Sequence, residues 1–157
     1  MMRTRRRKRI RLDLASYTVP GTVWHVTIGT LGRRPVLCES SVAEAVIESI
    51  GFQCAKAKSD LLMYCVMPEH LHLVIGIGDE SDLISILHDF KSYTTTFWRK
   101  RTGQDKFWQE SFYDHGVRHS ERMEDLIEYV VKNPVEEGLV TDWREYPWLS
   151  GSLLEDT

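Results

Sequence analysis

Four segments of the chain have the residue patterns of β-strands. Residues 22–30 (TVWHVTIGT) alternate between apolar and polar and are rich in β-branched side chains, which predicts a strand. Residues 61–66 and 71–77 are two apolar strands separated by a Met-Pro-Glu turn. A fourth strand is expected within 107–119 (FWQESFYDHGVRH).

Other segments place apolar residues every three or four positions, as in an amphipathic helix. This spacing predicts one helix over 41–58 and a longer one over 82–100, with Ser81 as its N-cap. A last helix is expected to begin after a capping Ser120. It should end at the Asn-Pro pair at 133–134, because the residue before a proline is disfavoured in the α region.

The predicted order is β-α-β-β-α-β-α, which indicates an α+β fold. We expect a ferredoxin-like split βαβ antiparallel sheet with an added C-terminal helix. At 157 residues the chain is long enough for one domain. We assign 1–19 as a basic N-terminal arm, 20–152 as the single domain and 153–157 as a short tail.

The net charge of −3 conceals an uneven distribution. The first eleven residues hold seven of the 20 basic residues and none of the 23 acidic ones, so the remainder carries 13 against 23, a net charge of −10. A cationic arm on an acidic body favours contacts between the arm and phosphates, although a solvated tail is an equally good interpretation of the arm alone. The basic residues concerned are Arg3, Arg5, Arg6, Arg7, Lys8, Arg9 and Arg11.

The apolar runs and the cysteines bear on the expected location of the protein. No apolar run approaches the roughly 20 residues that span a bilayer, so no membrane association is expected. The three cysteines form no CxxC pair, which is typical of a reducing compartment, and we expect a cytoplasmic protein.

His70 and His72 stand at the start of the third predicted strand, in the segment PEHLHLV. Side chains two residues apart on a strand lie on the same face. Two adjacent imidazoles provide half of a site for a divalent metal ion. For the His-x-His pattern alone, two half-buried histidines that are satisfied by hydrogen bonds remain the alternative.

The last helix carries polar groups together on one face. At about 100° per residue its apolar stripe is centred some 130° away from Tyr129. Asn133 lies one turn further along on the side of Tyr129, and Arg122 falls on the same side. An exposed tyrosine followed by an asparagine that merely ends the helix is the alternative. The stripe consists of Met123, Leu126, Ile127, Val130 and Val131.

Several motifs in the same order resemble those of one family. The strand PEHLHLV, the stretch FWQESFYDHGVR and the helix end EYVVKNPVEEGLV, followed by YPWLSGS, resemble the REP-associated tyrosine transposases. These are the chromosomal branch of the single-tyrosine HUH transposases, and the likeness spans roughly residues 20 to 150.

The resemblance implies a metal-dependent endonuclease and strand transferase that acts on single-stranded DNA hairpins formed by palindromic repeats. Tyr129 matches the nucleophile that forms a 5′-phosphotyrosine, so the C-terminal helix would be the catalytic one. His70 and His72 match the metal-binding pair, and Asn133 matches the position that completes the site. This donor set suits Mg²⁺ or Mn²⁺. Arg122 is a hypothetical contact to the phenolate or the phosphate.

The resemblance also implies partners. Single-stranded DNA hairpins are expected, with no organic cofactor, and a monomer is favoured by analogy although a dimer is possible. At most one or two aromatic residues are expected to stack on bases, since most aromatics in a small domain are core. The candidates are Trp24, Trp98, Trp108, Trp143, Tyr146 and Trp148.

Two other functions stay open. A domesticated module could bind hairpin DNA or RNA without cutting it, and a His-x-His hydrolase could use activated water without a tyrosine. Tyr93 is a weaker candidate nucleophile at the edge of the core. His25 and His88 show no signal beyond solvated or core-edge histidines, and Gln109 has no assigned role.

Overall fold

The computed structural model describes residues 14–117 and 123–155. The strands within them are β1 (Val23–Gly29), β2 (Asp60–Val66), β3 (His70–Gly76), β4 (Tyr113–Val117) and β5 (Leu149–Ser150). They form one antiparallel sheet with the strand order β4-β1-β3-β2-β5. This order confirms the ferredoxin-like sheet, to which the short fifth strand is added at the edge of β2.

In the described part of the chain, three α-helices connect and cover the sheet, in the predicted positions. They are α1 (Ser40–Lys56), α2 (Leu83–Thr102) and α3 (Met123–Glu136). Short 3-10 helices lie at Leu14–Thr18, Leu31–Arg33, Val36–Cys38, Trp143–Glu145 and Ser152–Leu154. No helix in the described residues is both long and apolar enough to span a bilayer.

Alternation along the strands divides the core into two layers. Trp24, Val26 and Ile28 of β1 pack with α1 and α2 on one face of the sheet. On the other face, Val74 of β3 packs with Val130 of α3 and with residues of β2. Since His70 and His72 alternate in phase with Val74, they lie on the face that α3 covers.

The N-cap of α2 differs from the prediction. The side chain of Asp82, not that of Ser81, accepts a hydrogen bond from the backbone N–H of Ile84 at 2.9 Å. The Ser81 hydroxyl is buried and lies 2.7 Å from that of Ser59. The Ser81 hydroxyl therefore links two loops through Ser59, and Asp82 caps the helix.

The end of α3 also differs from the prediction. The helix continues through Asn133 and Pro134 to Glu136, and Gly138 follows with a positive φ of 73°. A proline in the last turn removes only one backbone hydrogen bond, and Pro134 is buried against the fold. The restriction before proline is a preference, and packing overrides it here.

Several predicted features concern the chain ends. Tyr17, which we had placed in the basic arm, is fully buried in the core and donates a hydrogen bond to Asp114 at 2.8 Å. The basic residues of 1–11, Ser120 and Arg122 lie outside the described residues, so their roles stay predictions.

Candidate active site

The two histidines of β3 point their rings at one another. His70 and His72 are 8% and 3% exposed, and their Nε2 atoms are 3.1 Å apart. Adjacent ligands of an octahedral ion with bonds of about 2.1 Å are separated by about 3.0 Å. The pair therefore has the separation needed to bind one divalent ion.

The His70 ring is held by an acidic neighbour. The Glu69 carboxylate lies 2.9 Å from Nδ1 of His70. Because a carboxylate only accepts, Nδ1 of His70 carries a proton, and in the neutral ring Nε2 is the acceptor. Arg33 donates to the same Glu69 oxygen at 3.4 Å, which holds the carboxylate in place.

The His72 ring is held from β1. Nδ1 of His72 lies 3.0 Å from Nε2 of His25 and 3.3 Å from the Thr27 hydroxyl. Burial, followed by the positive charges that His70 and His25 would carry, lowers the pKa of His72 to about 3. Burial and nearby His115 lower the pKa of His25 to about 4. Both rings are therefore neutral near pH 7, the form in which imidazole binds a metal.

Helix α3 brings the predicted tyrosine and asparagine to this pair. The Tyr129 ring meets the rings of His72 and His25 edge-on, with both centroid distances at 5.9 Å, and the residue is 59% exposed. The Asn133 side chain donates to the Tyr129 carbonyl at 3.1 Å, and it is near enough to His72 to act against the lowering of that ring's pKa. The apolar stripe of α3 faces the core, which turns Tyr129 toward both the site and solvent.

The donor set limits the metal that the site can hold. No group of three His, Cys, Asp or Glu side chains in the described residues could hold an ion, so a third protein ligand would be the Asn133 amide oxygen. Cys65 pairs with His72 in the sheet, but burial raises the pKa of its thiol to about 12 and it packs in the core. Two imidazoles and an amide oxygen fit Mg²⁺ or Mn²⁺ better than zinc with a thiolate.

A glutamine amide lies in the same cross-strand row as His70. Gly29 pairs with His70 on one side, and on the other its carbonyl accepts from the backbone N–H of Gln109 at 2.9 Å. A Cβ on Gly29 would lie 3.1 Å from the Gln109 amide carbon and oxygen, so the amide covers the glycine. The amide oxygen is buried and has no hydrogen-bond partner in the described part of the chain. Gln109 thus belongs to the surroundings of the site, which its sequence context did not reveal.

His25 is the residue that the sequence analysis missed. The sequence shows no signal for it beyond that of a solvated or core-edge histidine, and the structure places it half-buried against His72. Strand alternation places His25 and Thr27 on one face of β1, but only the pairing of β1 with β3 shows that this is the face of His72. The signal is thus absent from the local sequence.

The alternative nucleophile lies elsewhere. Tyr93 was expected at the edge of the core but is 60% exposed, in a groove of about 280 Å³ between α1 and α2. This groove is on the opposite side of the sheet from α3. Tyr93 therefore cannot reach the histidine pair.

Most of the candidate stacking aromatics are buried. Trp24, Trp98, Trp108 and Tyr146 are 3%, 5%, 6% and 9% exposed and pack in the core. Trp143 and Trp148 are partly exposed, and the Arg144 guanidinium covers the Trp143 ring at 4.6 Å. Any stacking on bases by these candidates is thus limited to Trp143 and Trp148.

A ferredoxin-like sheet with paired histidines on a central strand, faced by a tyrosine from an added helix, defines the class of protein. The family model described as "Transposase IS200 like" matches residues 18–133. The chain therefore belongs to the IS200-like transposase family, as the sequence motifs implied.

Two individual relatives are similar in sequence to this chain. A protein of Haemophilus influenzae named as a candidate REP-associated tyrosine transposase is 22% identical over 108 residues, 62% of this chain and 61% of the relative. A second protein of that organism, without an assigned function, is 26% identical over 94 residues, 46% of this chain and 52% of the relative. The chain thus matches little more than half the length of these curated relatives.

Solved structures share the fold. A REP-associated tyrosine transposase bound to a REP hairpin superposes with a TM-score of 0.71 at 21% identity, covering 85% of this chain and 78% of that one. A candidate transposase from Deinococcus radiodurans has a TM-score of 0.55 at 18% identity, covering 81% of this chain and 97% of that one. At these identities the likeness concerns the fold alone.

Proposed function

We propose that this chain is a metal-dependent endonuclease and strand transferase for single-stranded DNA, which cuts and rejoins hairpin-forming palindromic repeats through Tyr129. The observation that carries the proposal is the meeting of Tyr129 and Asn133 of α3 with His70 and His72 of β3. These four residues come from two elements that are distant in sequence. An exposed phenol beside a buried pair of imidazoles is suited to attack on a phosphodiester.

The covalent step exchanges one phosphate ester for another. The Tyr129 oxygen forms a bond to phosphorus as the bond from phosphorus to the 3′ oxygen breaks, leaving a 5′-phosphotyrosine and a 3′-hydroxyl. The phenol gives up one proton to solvent and the released 3′ oxygen gains one. Attack of a 3′-hydroxyl on the phosphotyrosine reverses the step, so one site can both cut and rejoin.

The residues that would hold a divalent ion, Mg²⁺ or Mn²⁺, are His70, His72 and Asn133. When bound, such an ion polarises the phosphodiester and stabilises its developing charge. Glu69 and His25 hold the two imidazoles in position through hydrogen bonds to their Nδ1 atoms. Because burial lowers the pKa of His72 to about 3, its ring can offer a lone pair at neutral pH.

The proposed substrate has two sources of support. The family is one of transposases, and a structural neighbour is a REP-associated transposase bound to a REP hairpin. The basic residues within 1–11 and Arg122 are proposed to contact DNA phosphates. We propose a monomer that acts in the cytoplasm, with no organic cofactor.

Two tyrosines of equal exposure make a matched test of the nucleophile. Labelled single-stranded hairpins from the genomic neighbourhood of the coding region are incubated with the protein and Mn²⁺, and the products are separated on a denaturing protein gel. We expect a covalent band with the wild type and with Tyr93→Phe. Tyr129→Phe and EDTA should each abolish it, whereas Tyr129→Phe should still bind the hairpin.

Other outcomes would replace the proposal. Cleavage without a covalent band, retained in Tyr129→Phe, would identify a hydrolase that uses water. Hairpin binding with neither cleavage nor adduct would identify a non-catalytic binding module. Loss of binding together with the adduct in Tyr129→Phe would assign that residue a structural role.

A further inference from the structure

We propose that His25 is a positioning residue for His72. The Nε2 atom of His25 can either donate a hydrogen bond to Nδ1 of His72 or accept one from it, and the accepting form lets His72 offer its Nε2 lone pair to a divalent ion. The inference rests on the proposed function, since it concerns the same histidine pair. It is carried by a chain of four hydrogen-bonded groups, from His25 through His72 and His70 to Glu69. The successive distances are 3.0, 3.1 and 2.9 Å.

The acid at the end of this chain fixes the direction of every bond. Glu69 only accepts, so His70 donates from Nδ1 and its Nε2 can only accept when the ring is neutral. The hydrogen bond between the paired rings then needs the proton of His72 on Nε2. Nδ1 of His72 is left as an acceptor, which requires His25 to donate from Nε2.

An ion bound to both Nε2 atoms requires the opposite arrangement at two of the rings. The proton of His72 must then lie on Nδ1, and Nε2 of His25 must accept a hydrogen bond from this N–H group. For that, the proton of His25 moves to Nδ1. The two arrangements differ only in which nitrogen of His72 and of His25 carries the proton, so the exchange creates no charge in the buried site.

Few side chains could occupy position 25 and permit both arrangements. A carboxylate only accepts and a lysine ammonium only donates, whereas an imidazole or a side-chain amide can do either. Thr27 also lies near Nδ1 of His72, but at 3.3 Å its hydroxyl is the more distant partner. Outer partners of metal-binding histidines typically change metal affinity by about 10- to 100-fold when removed.

The test measures Mn²⁺ affinity by calorimetry in the full chain, with no DNA present. We expect His25→Leu to weaken binding by at least about tenfold, and His25→Gln to restore most of the affinity because an amide can rotate. His88→Leu, a change at an exposed histidine of α2, should bind like the wild type. Thermal unfolding of each variant checks that it is folded.

A spectroscopic measurement on the wild type covers the case in which His25→Leu does not fold. Nitrogen-15 NMR of the histidines should show the proton of His72 on Nε2 without ion and on Nδ1 with saturating Mg²⁺. A proton on Nε2 in the Mg²⁺-bound protein, or wild-type affinity in His25→Leu, would overturn the inference and leave the proposed function intact. If the wild type binds no divalent ion, both the inference and the metal-dependent part of the proposed function fail.

Discussion

The two histidines of β3 are oriented by groups of different chemistry. His70 has a carboxylate behind it, whereas His72 has a neutral imidazole. A carboxylate strengthens the basicity of the ring it holds and allows only one tautomer. His70 is therefore the ring whose orientation depends most on a charged neighbour.

This difference leads to a prediction for Glu69. Glu69→Ala should weaken Mn²⁺ binding by about 10- to 100-fold, because His70 Nδ1 loses its acceptor, while Glu69→Gln keeps an acceptor oxygen and should lose less. The measurement is a calorimetric titration with Mn²⁺.

The chain contains a matched control for this change. On α2, Asp89 lies 3.3 Å from Nδ1 of the exposed His88, in the same relation of neighbouring carboxylate and imidazole. Asp89→Ala should leave Mn²⁺ affinity unchanged. Equal losses in the Asp89 and Glu69 variants would show that net charge, not the orientation of His70, sets the affinity.

At the scale of elements, the site depends on how α3 packs. Val130 is fully buried and packs with Val74 of β3, while the adjacent Tyr129 is largely exposed. The apolar stripe of the helix thus determines which residues face the sheet and which border the site. This was predictable from the sequence because helical periodicity is a local property.

Replacing either of two glycines by alanine should change the free energy of unfolding, in opposite directions. Gly51 lies inside α1 with no atom within 4 Å of an added Cβ, so Gly51→Ala should raise the free energy of unfolding by about 0.5–1 kcal/mol. At Gly78 an added Cβ would lie 1.9 Å from the Lys58 carbonyl oxygen. The backbone must therefore shift, and Gly78→Ala should lower the free energy of unfolding by about 2 kcal/mol or more.

Urea denaturation of both variants checks this pair. The wild-type protein supplies the reference midpoint, and an unchanged dependence on urea shows that the unfolding transition is comparable. A stable Gly78→Ala variant would mean that the loop at Gly78 packs less closely against the Lys58 carbonyl than the structure indicates.

At the scale of the whole molecule, charge is divided between the N-terminal residues and the rest of the chain. The seven basic residues within 1–11 precede a remainder with a net charge of −10. Such a body repels DNA at long range, so binding should depend strongly on the cationic segment.

Replacing these seven basic residues by serine should weaken hairpin binding and flatten its dependence on salt. Each phosphate contact to a single strand contributes about 0.7 to the slope of log K against log salt, so the slope should fall by at most about 5. Fluorescence anisotropy over a range of salt concentrations measures it. Lys56→Ser, at the exposed end of α1, is the control and should change the slope little. An unchanged slope in the serine variant would place the phosphate contacts elsewhere on the chain.

The sequence by itself determined the order of the elements, the shared face of His70 and His72 and the placement of Tyr129 beside Asn133. Each of these follows from the periodicity of a single strand or helix, in which side-chain direction depends on near neighbours. Where two local preferences competed, the sequence was less informative, as at the N-cap of α2 and at Pro134.

Only the tertiary structure decided the contacts that cross the sheet. The contact between His25 and His72, the Gln109 amide over Gly29 and the burial of Trp24 each depend on the pairing of distant strands. Strand register and the choice of face are properties of two segments together, and a shift of one residue would turn each side chain to the other side. For that reason the histidine that supports the site looked unremarkable in the sequence and became informative only once β1 was paired with β3.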